Sequence, residues 1–214
     1  MRKALGVLIS SLTLLVWVVP AHAELVFSAE LTVDQEPHDV TLLEDDELTP
    51  RPTPFGQGIF ILNDEGTALT MDVVVFNIDF TGLQTATLND NLTAAHIHVL
   101  PSFADLAGPV RWGFIGTPFN DVEPTKNVVV TPFTDGVGGR VTGAWDAPEG
   151  NNTTLTDQLP SILAGLAYIN FHTVENPAGE VRGQIELLQV PEPGTLLLVG
   201  LGLAGLLASR KRIA

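Results

Sequence analysis

The chain has 214 residues, no cysteine and a formal net charge of −15 at pH 7. That length is enough for one domain with its own core, and the missing thiols exclude disulfide staples and thiolate chemistry. Between Glu24 and Val190 the only basic residues are Arg51, Arg111, Lys126, Arg140 and Arg182. A body this acidic repels phosphate backbones and attracts cations, so nucleic acid is excluded as a partner.

Met1 to Ala23 reads as a signal peptide. Arg2 and Lys3 supply the positive start, Ala4 to Val19 the apolar stretch, and Ala21-His22-Ala23 the small-residue cleavage site. His22 therefore leaves with the peptide. Residues 24–189 form the folded domain and 190–214 the tail.

Glu24 to Val33 reads as the first strand. Asp34 to Phe55 is a loop holding His38, the acid run Glu44 to Glu47, and Pro50, Pro52 and Pro54. The acid run lacks the alternating spacing of a calcium loop, so it reads as a solvated face. Gly58 to Asn63 and Ala68 to Phe80 are strands around an Asn63-Asp64-Glu65-Gly66 turn, with Val74, Phe76, Ile78 and Phe80 expected on the core face. In Ala95-His96-Ile97-His98-Val99, Ile97 and Val99 face the core while His96 and His98 point together to the other side.

Pro101 to Pro109 is a loop. Val110 to Gly116, Asn127 to Phe133 and Arg140 to Trp145 are strands between Pro- and Gly-rich segments. Thr154 to Leu163 is the one expected helix, with Asp157 and Gln158 in its first turn and Pro160 limiting it. Ala167 to Leu187 is a β-hairpin turning at Asn176-Pro177-Ala178-Gly179. Ile169, Phe171, Val181, Ile185 and Leu187 share the core face. Tyr168, Asn170, His172, Glu180, Arg182 and Gln184 share the polar one. Many short strands between turn signals predict an all-β antiparallel sandwich.

A His-x-His strand and a later histidine, His96, His98 and His172, form a candidate metal-ligand set. Neutral imidazoles suit copper or zinc. Tyr168, Asn170 and Glu180 would orient the rings. The alternative is a hydrogen-bonded polar cluster with Arg182 paired to Glu180 or a nearby acid. Hydrolytic chemistry has no support: there is no Gly-x-Ser-x-Gly elbow, and Ser28, Ser102 and Ser161 lie in no nucleophile setting.

The tail runs Val190-Pro191-Glu192-Pro193-Gly194, then an apolar stretch from Thr195 to Ser209, then Arg210-Lys211-Arg212. This reads as a short membrane helix with a cytoplasmic C-terminus and the body outside. Pro191-Glu192-Pro193, the apolar span and the basic end, in that order, resemble the PEP-CTERM sorting signal of Gram-negative bacteria. The resemblance implies export, transient membrane anchorage, processing near the motif by an exosortase, and an association with extracellular polysaccharide or matrix.

The body resembles the CHRD domain. The resemblance is carried by Ala95-His96-Ile97-His98, Gly108-Pro109-Val110, the run from Gly165 to Thr173, Asn176-Pro177, and Gly179 to Ile185. The family has no general activity assigned, so the resemblance implies a fold and an exported, surface- or matrix-associated binding or structural module. The body also resembles Cu/Zn superoxide dismutase, a sandwich of immunoglobulin-like architecture. There a His-x-His strand and a late histidine bind copper on the outer face. That resemblance implies a copper site at His96, His98 and His172, with Arg182 guiding an anion to it. It departs in two places. No histidine lies between His98 and His172 to build a zinc site, and there is no disulfide. The expectation is thus a non-enzymatic module with a histidine metal site, and the alternative a mononuclear copper redox protein.

Overall fold

The computed structural model describes residues 24–188 and, beyond them, only 200, 202 and 203. The signal peptide with its cleavage site at Ala21 and Ala23, and the sorting motif Pro191, Glu192 and Pro193, lie outside the described residues. Among the described residues, no helix is long and apolar enough to cross a membrane.

The strands in chain order are β1 (Leu25–Thr32), β2 (Phe55–Leu62), β3 (Ala68–Phe76), β4 (Leu92–Val99), β5 (Val110–Ile115), β6 (Val129–Pro132), β7 (Gly138–Asp146), β8 (Ala167–Thr173), β9 (Val181–Gln184) and β10 (Glu186–Leu187). All named pairs are antiparallel, in the order β5-β4-β8-β9-β1-β2-β3-β7-β6, with β10 beside β1. This is one continuous sheet, curled so that its two halves face each other like a sandwich. The seam is narrow: β9 meets β1 at Thr32 and Arg182.

Aromatic rings fill the space between the halves. Trp112 of β5 stacks on Trp145 of β7 at 6.0 Å, and Phe171 of β8 meets Phe80 at 6.2 Å and Phe114 at 6.1 Å. β1 alternates, with Phe27, Ala29 and Leu31 in the core. The helix α1 (Leu155–Leu163) starts at Thr154, whose side chain and that of Asp157 form a reciprocal capping box. It buries Leu155 and Ile162, and Pro160 lies inside it rather than at its end.

Two expectations of parity are overturned. In β3 the core side chains are Leu69, Met71, Val73 and Val75, while Phe76 is 38% exposed. The run Val73–Phe76 is apolar on both faces, so its period cannot choose a side. Pairing with β2 and β7 chooses, and Phe76 stacks on Phe55 at 4.8 Å on the outer face. The strand then ends, and Asn77 adopts a left-handed φ of 63°. That break resets the phase and returns Ile78 to the core. Leu187, expected inside, is 43% exposed because the hairpin strand breaks at Ile185 and resumes as β10.

β8 is buried along its whole length, on both faces. Its core side meets the opposite half-sheet. Its polar side lies under the loops 36–51, 101–109 and 174–179, and this covering makes the site.

Candidate metal centre

The sheet register places the polar side chains in rows. His96 of β4 lies opposite Asn170 of β8, which lies opposite Arg182 of β9. His98 lies opposite Tyr168, which lies opposite Gln184. His172 is two residues beyond Asn170, on the same face and diagonal to His96. Alternation thus carries three histidines to one side of two neighbouring strands.

The rings converge. His96 Nδ1 is 3.2 Å from His172 Nε2, and ring centroids are 4.9 Å apart for His96 and His172 and 6.0 Å for His98 and His172. One nitrogen from each residue lies within 4.8 Å of the others. All three are buried, at 5%, 9% and 7% exposure for His96, His98 and His172.

Backbone carbonyls fix two of the tautomers. His98 Nδ1 lies 2.9 Å from the Gly108 carbonyl, and His172 Nδ1 lies 3.1 Å from the Pro177 carbonyl. A carbonyl can only accept, so each Nδ1 carries the proton and each Nε2 presents a lone pair. The His98 lone pair has no partner, and neither does His96 Nε2. A buried polar atom without a partner costs about 1–3 kcal/mol, so two in one cluster need a reason.

The cluster resists protonation. Burial pushes His96 down to about 4, helped by the charges of His172 and His98, while the nearby Thr117 backbone opposes the shift. Burial also pushes His98 down to about 4, against its bond to Gly108. His172 is lowered for the same first reason, against its bond to Pro177. At neutral pH all three are uncharged imidazoles, the form that ligates metals.

Three of the other expected residues surround this cluster. The Tyr168 ring stacks on His98 at 4.9 Å, and the Arg182 guanidinium caps its other face at 3.5 Å. The Gly108 amide donates to the Tyr168 hydroxyl at 3.1 Å. Gly108 has no room for a side chain, since a β-carbon there would lie 2.1 Å from the Val99 carbonyl oxygen. Asn170 is buried between His96 and Arg182, and its Oδ1 has no partner.

The other two, Glu180 and Gln184, make no hydrogen bond to the histidines, and Gln184 Oε1 accepts a long bond from Arg182 at 3.4 Å. Glu180 turns from the histidines to Arg51, which donates to its two oxygens at 3.1 and 2.9 Å; Thr173 and Asn176 also donate to it. Gln184 bonds the Gly165 and Ala167 carbonyls at 2.8 and 2.7 Å. Arg182 does not pair with Glu180; it donates to the Leu106 carbonyl at 2.7 Å. This bond and the Tyr168 stack leave the guanidinium engaged, not poised for an anion.

Sequence reasoning missed several contributors. Arg51 also bonds Glu175 at 2.7 Å, and Asn176 bonds the Thr41 carbonyl at 2.7 Å. Together they fix the 174–179 turn that brings the Pro177 carbonyl to His172. Glu36 is also buried near Asn170, and burial raises its carboxyl to about 7 although Arg182 opposes the shift. The isolated positive charge of Arg51 in an acidic loop was the one readable signal. Carbonyl contacts have none.

The arrangement defines a class: a curled antiparallel β-protein with a covered three-histidine cluster on the outer face of its sheet. A family model described as CHRD domain matches residues 27–185, and the chain belongs to the CHRD-domain family. A second model, the PEP-CTERM protein-sorting motif, matches residues 189–212. The chain therefore carries the sorting signal of an exported, surface-targeted protein, of the kind an exosortase recognises. Comparisons with curated proteins and with solved structures give no match.

Proposed function

We propose that this CHRD domain is a non-enzymatic metal-binding module, displayed at the cell surface or in the extracellular matrix, which holds one copper ion on His96, His98 and His172. The observation that carries this reading is the convergence of three buried neutral imidazoles, two with their tautomers set by backbone carbonyls. In the metal-free protein His96 Nδ1 donates to the His172 Nε2 lone pair at 3.2 Å, and a metal ion would take that proton's place. The separation is already close to the roughly 3.3 Å between two nitrogens on one ion at about 2.0–2.1 Å with a near-tetrahedral angle. The full spread of 4.8 Å exceeds the roughly 4.2 Å that one ion can span, so binding draws His98 inward. An all-imidazole set takes copper more tightly than zinc by the usual divalent order.

When bound, the ion supplies a Lewis-acidic and redox-capable centre. The chain's residues hold the rings, exclude water through the Tyr168–Arg182 stack and the 101–109 loop, and keep the imidazoles unprotonated. The dismutase-type alternative required Arg182 as an anion guide, and its hydrogen bond to Leu106 removes that support. Processing by an exosortase and association with matrix polysaccharide belong to the same proposal and rest on the sorting motif.

The test is copper and zinc titration with elemental analysis of the purified protein, beside a variant with His96→Ala, His98→Ala and His172→Ala. One copper per chain, lost in the variant, supports the reading. Equal uptake by both proteins rejects it.

A further inference from the structure

Four buried polar atoms on this face lack a hydrogen-bond partner: Glu36 Oε1, Asn170 Oδ1, His96 Nε2 and His98 Nε2. Folded proteins leave only a few such atoms per 100 residues, and here four of the six among the described residues lie on one face. Glu36 Oε1, Asn170 Oδ1 and His98 Nε2 are acceptors when Glu36 is ionised, and a cation is the partner acceptors share; His96 reaches the cluster through Nδ1.

The row has an outer end. Glu36 ends the turn after β1, and its side chain is 1% exposed, while that of His38, two residues on, is 33% exposed. His38 Nδ1 lies 3.8 Å from Glu36 Oε2, and His38 Nε2 lies 3.1 Å from the Gly179 carbonyl oxygen. Glu36 and Asn170 then meet over Gly179. A β-carbon at that residue would lie 2.5 Å from Asn170 Nδ2, 2.6 Å from Glu36 Oε1 and 2.8 Å from Asn170 Oδ1, so the Asn170 amide nitrogen faces the carboxyl as well. Gly179 also has a φ of +136°, which other residues rarely adopt. Asn170 is the cross-strand neighbour of His96 and precedes His172 by two residues.

The other approaches are obstructed. On the His98 side stand Gly108 and the Tyr168 ring, while the Arg182 guanidinium, on the cross-strand neighbour of Asn170, is offset by the Glu36 carboxylate. On the His96 side the Pro118 backbone presses against Gly113, leaving no space for a β-carbon there.

We propose that His38, Glu36 and Asn170 form the entry path for the metal ion: His38 captures it at the surface, and the Glu36 carboxylate and Asn170 carbonyl pass it to His96, His98 and His172. The inference rests on the metal-binding reading above. The outer station offers one imidazole and two oxygens, a weaker set for copper than three imidazoles, so affinity rises inward. Its ligand class is a late first-row transition-metal cation.

The experiment is stopped-flow loading of the full chain with Cu²⁺, comparing wild type with His38→Ala and Glu36→Gln. Copper stoichiometry, the spectrum of the loaded protein and the melting temperature are measured on each. Both variants should reach one copper per chain with the wild-type spectrum but load roughly tenfold slower or more, the scale of a lost local concentrating effect. His38 is surface-exposed, so its variant stays folded. Loading at the wild-type rate in His38→Ala overturns the path. A changed spectrum in the loaded His38→Ala protein also overturns it, because His38 is then a resident ligand. A wild type that takes up no copper overturns the underlying reading as well, and its stoichiometry tells that failure apart from a lost path.

Discussion

Glu36 and the histidines pull stability in opposite directions with pH, and Glu36→Gln exposes the opposition. His96 and His98 titrate at about 4 in the fold against an ordinary 6.5. The unfolded chain therefore binds protons first on acidification. Their stabilising effect is complete above 6.5 and is lost as pH falls toward 4. Glu36 is raised from 4.5 to about 7, so there the folded state binds the proton first, and stability from this group grows as pH falls from 7 to 4.5. Between pH 7 and 4.5 each ring costs, and Glu36 returns, between about 2 and 3 kcal/mol. The metal-free wild type should lose a net of roughly 2 kcal/mol from these groups, and Glu36→Gln roughly 5 kcal/mol. Other carboxylates add the same loss to both proteins, so the difference of roughly 3 kcal/mol isolates Glu36. Urea unfolding in a chelator at pH 7 and pH 4.5 reads it. Parallel losses in the two proteins would refute the raised carboxyl of the buried Glu36.

Arg51→Met leaves Glu180 as an uncompensated buried carboxylate, and urea unfolding should show a loss of about 3–5 kcal/mol, with weaker copper binding as the 174–179 turn loosens. Gly108→Ala forces a β-carbon against the Val99 carbonyl oxygen and should cost about 1–3 kcal/mol in the same assay, with a changed spectrum of the copper-loaded protein. Tyr168→Phe keeps the ring stack and removes the acceptor of the Gly108 amide together with a long 3.4 Å donation to the Gly108 carbonyl. It should cost about 1 kcal/mol and leave the copper stoichiometry unchanged.

Alternation made the site legible. The two-residue period put His96, His98 and His172 on one face before any contact was known, and the pairing of β4 with β8 only had to bring them together. Asp157 and Gln158 likewise placed the first turn of the helix, although Pro160, expected to limit it, lies inside. Alternation fails where both faces are apolar, as at Val73–Phe76, or where the backbone breaks, as at Asn77 and Ile185. It also says which face is polar, not whether that face is covered. Three loops bury the polar side of β8, and their grip depends on carbonyls of Leu106, Gly108 and Pro177 that any residue could supply. Glu180 shows the same limit: it belongs to the hairpin's polar set by parity, yet it lies just outside β9 and its partner is Arg51, far away in sequence.

X-ray absorption at the copper edge of the loaded full chain tests the central claim most directly. A shell of three imidazole nitrogens at about 2.0 Å is expected, with ring scattering that vanishes in the triple histidine variant. A shell dominated by carboxylate oxygen, or imidazole scattering unchanged in that variant, would contradict it.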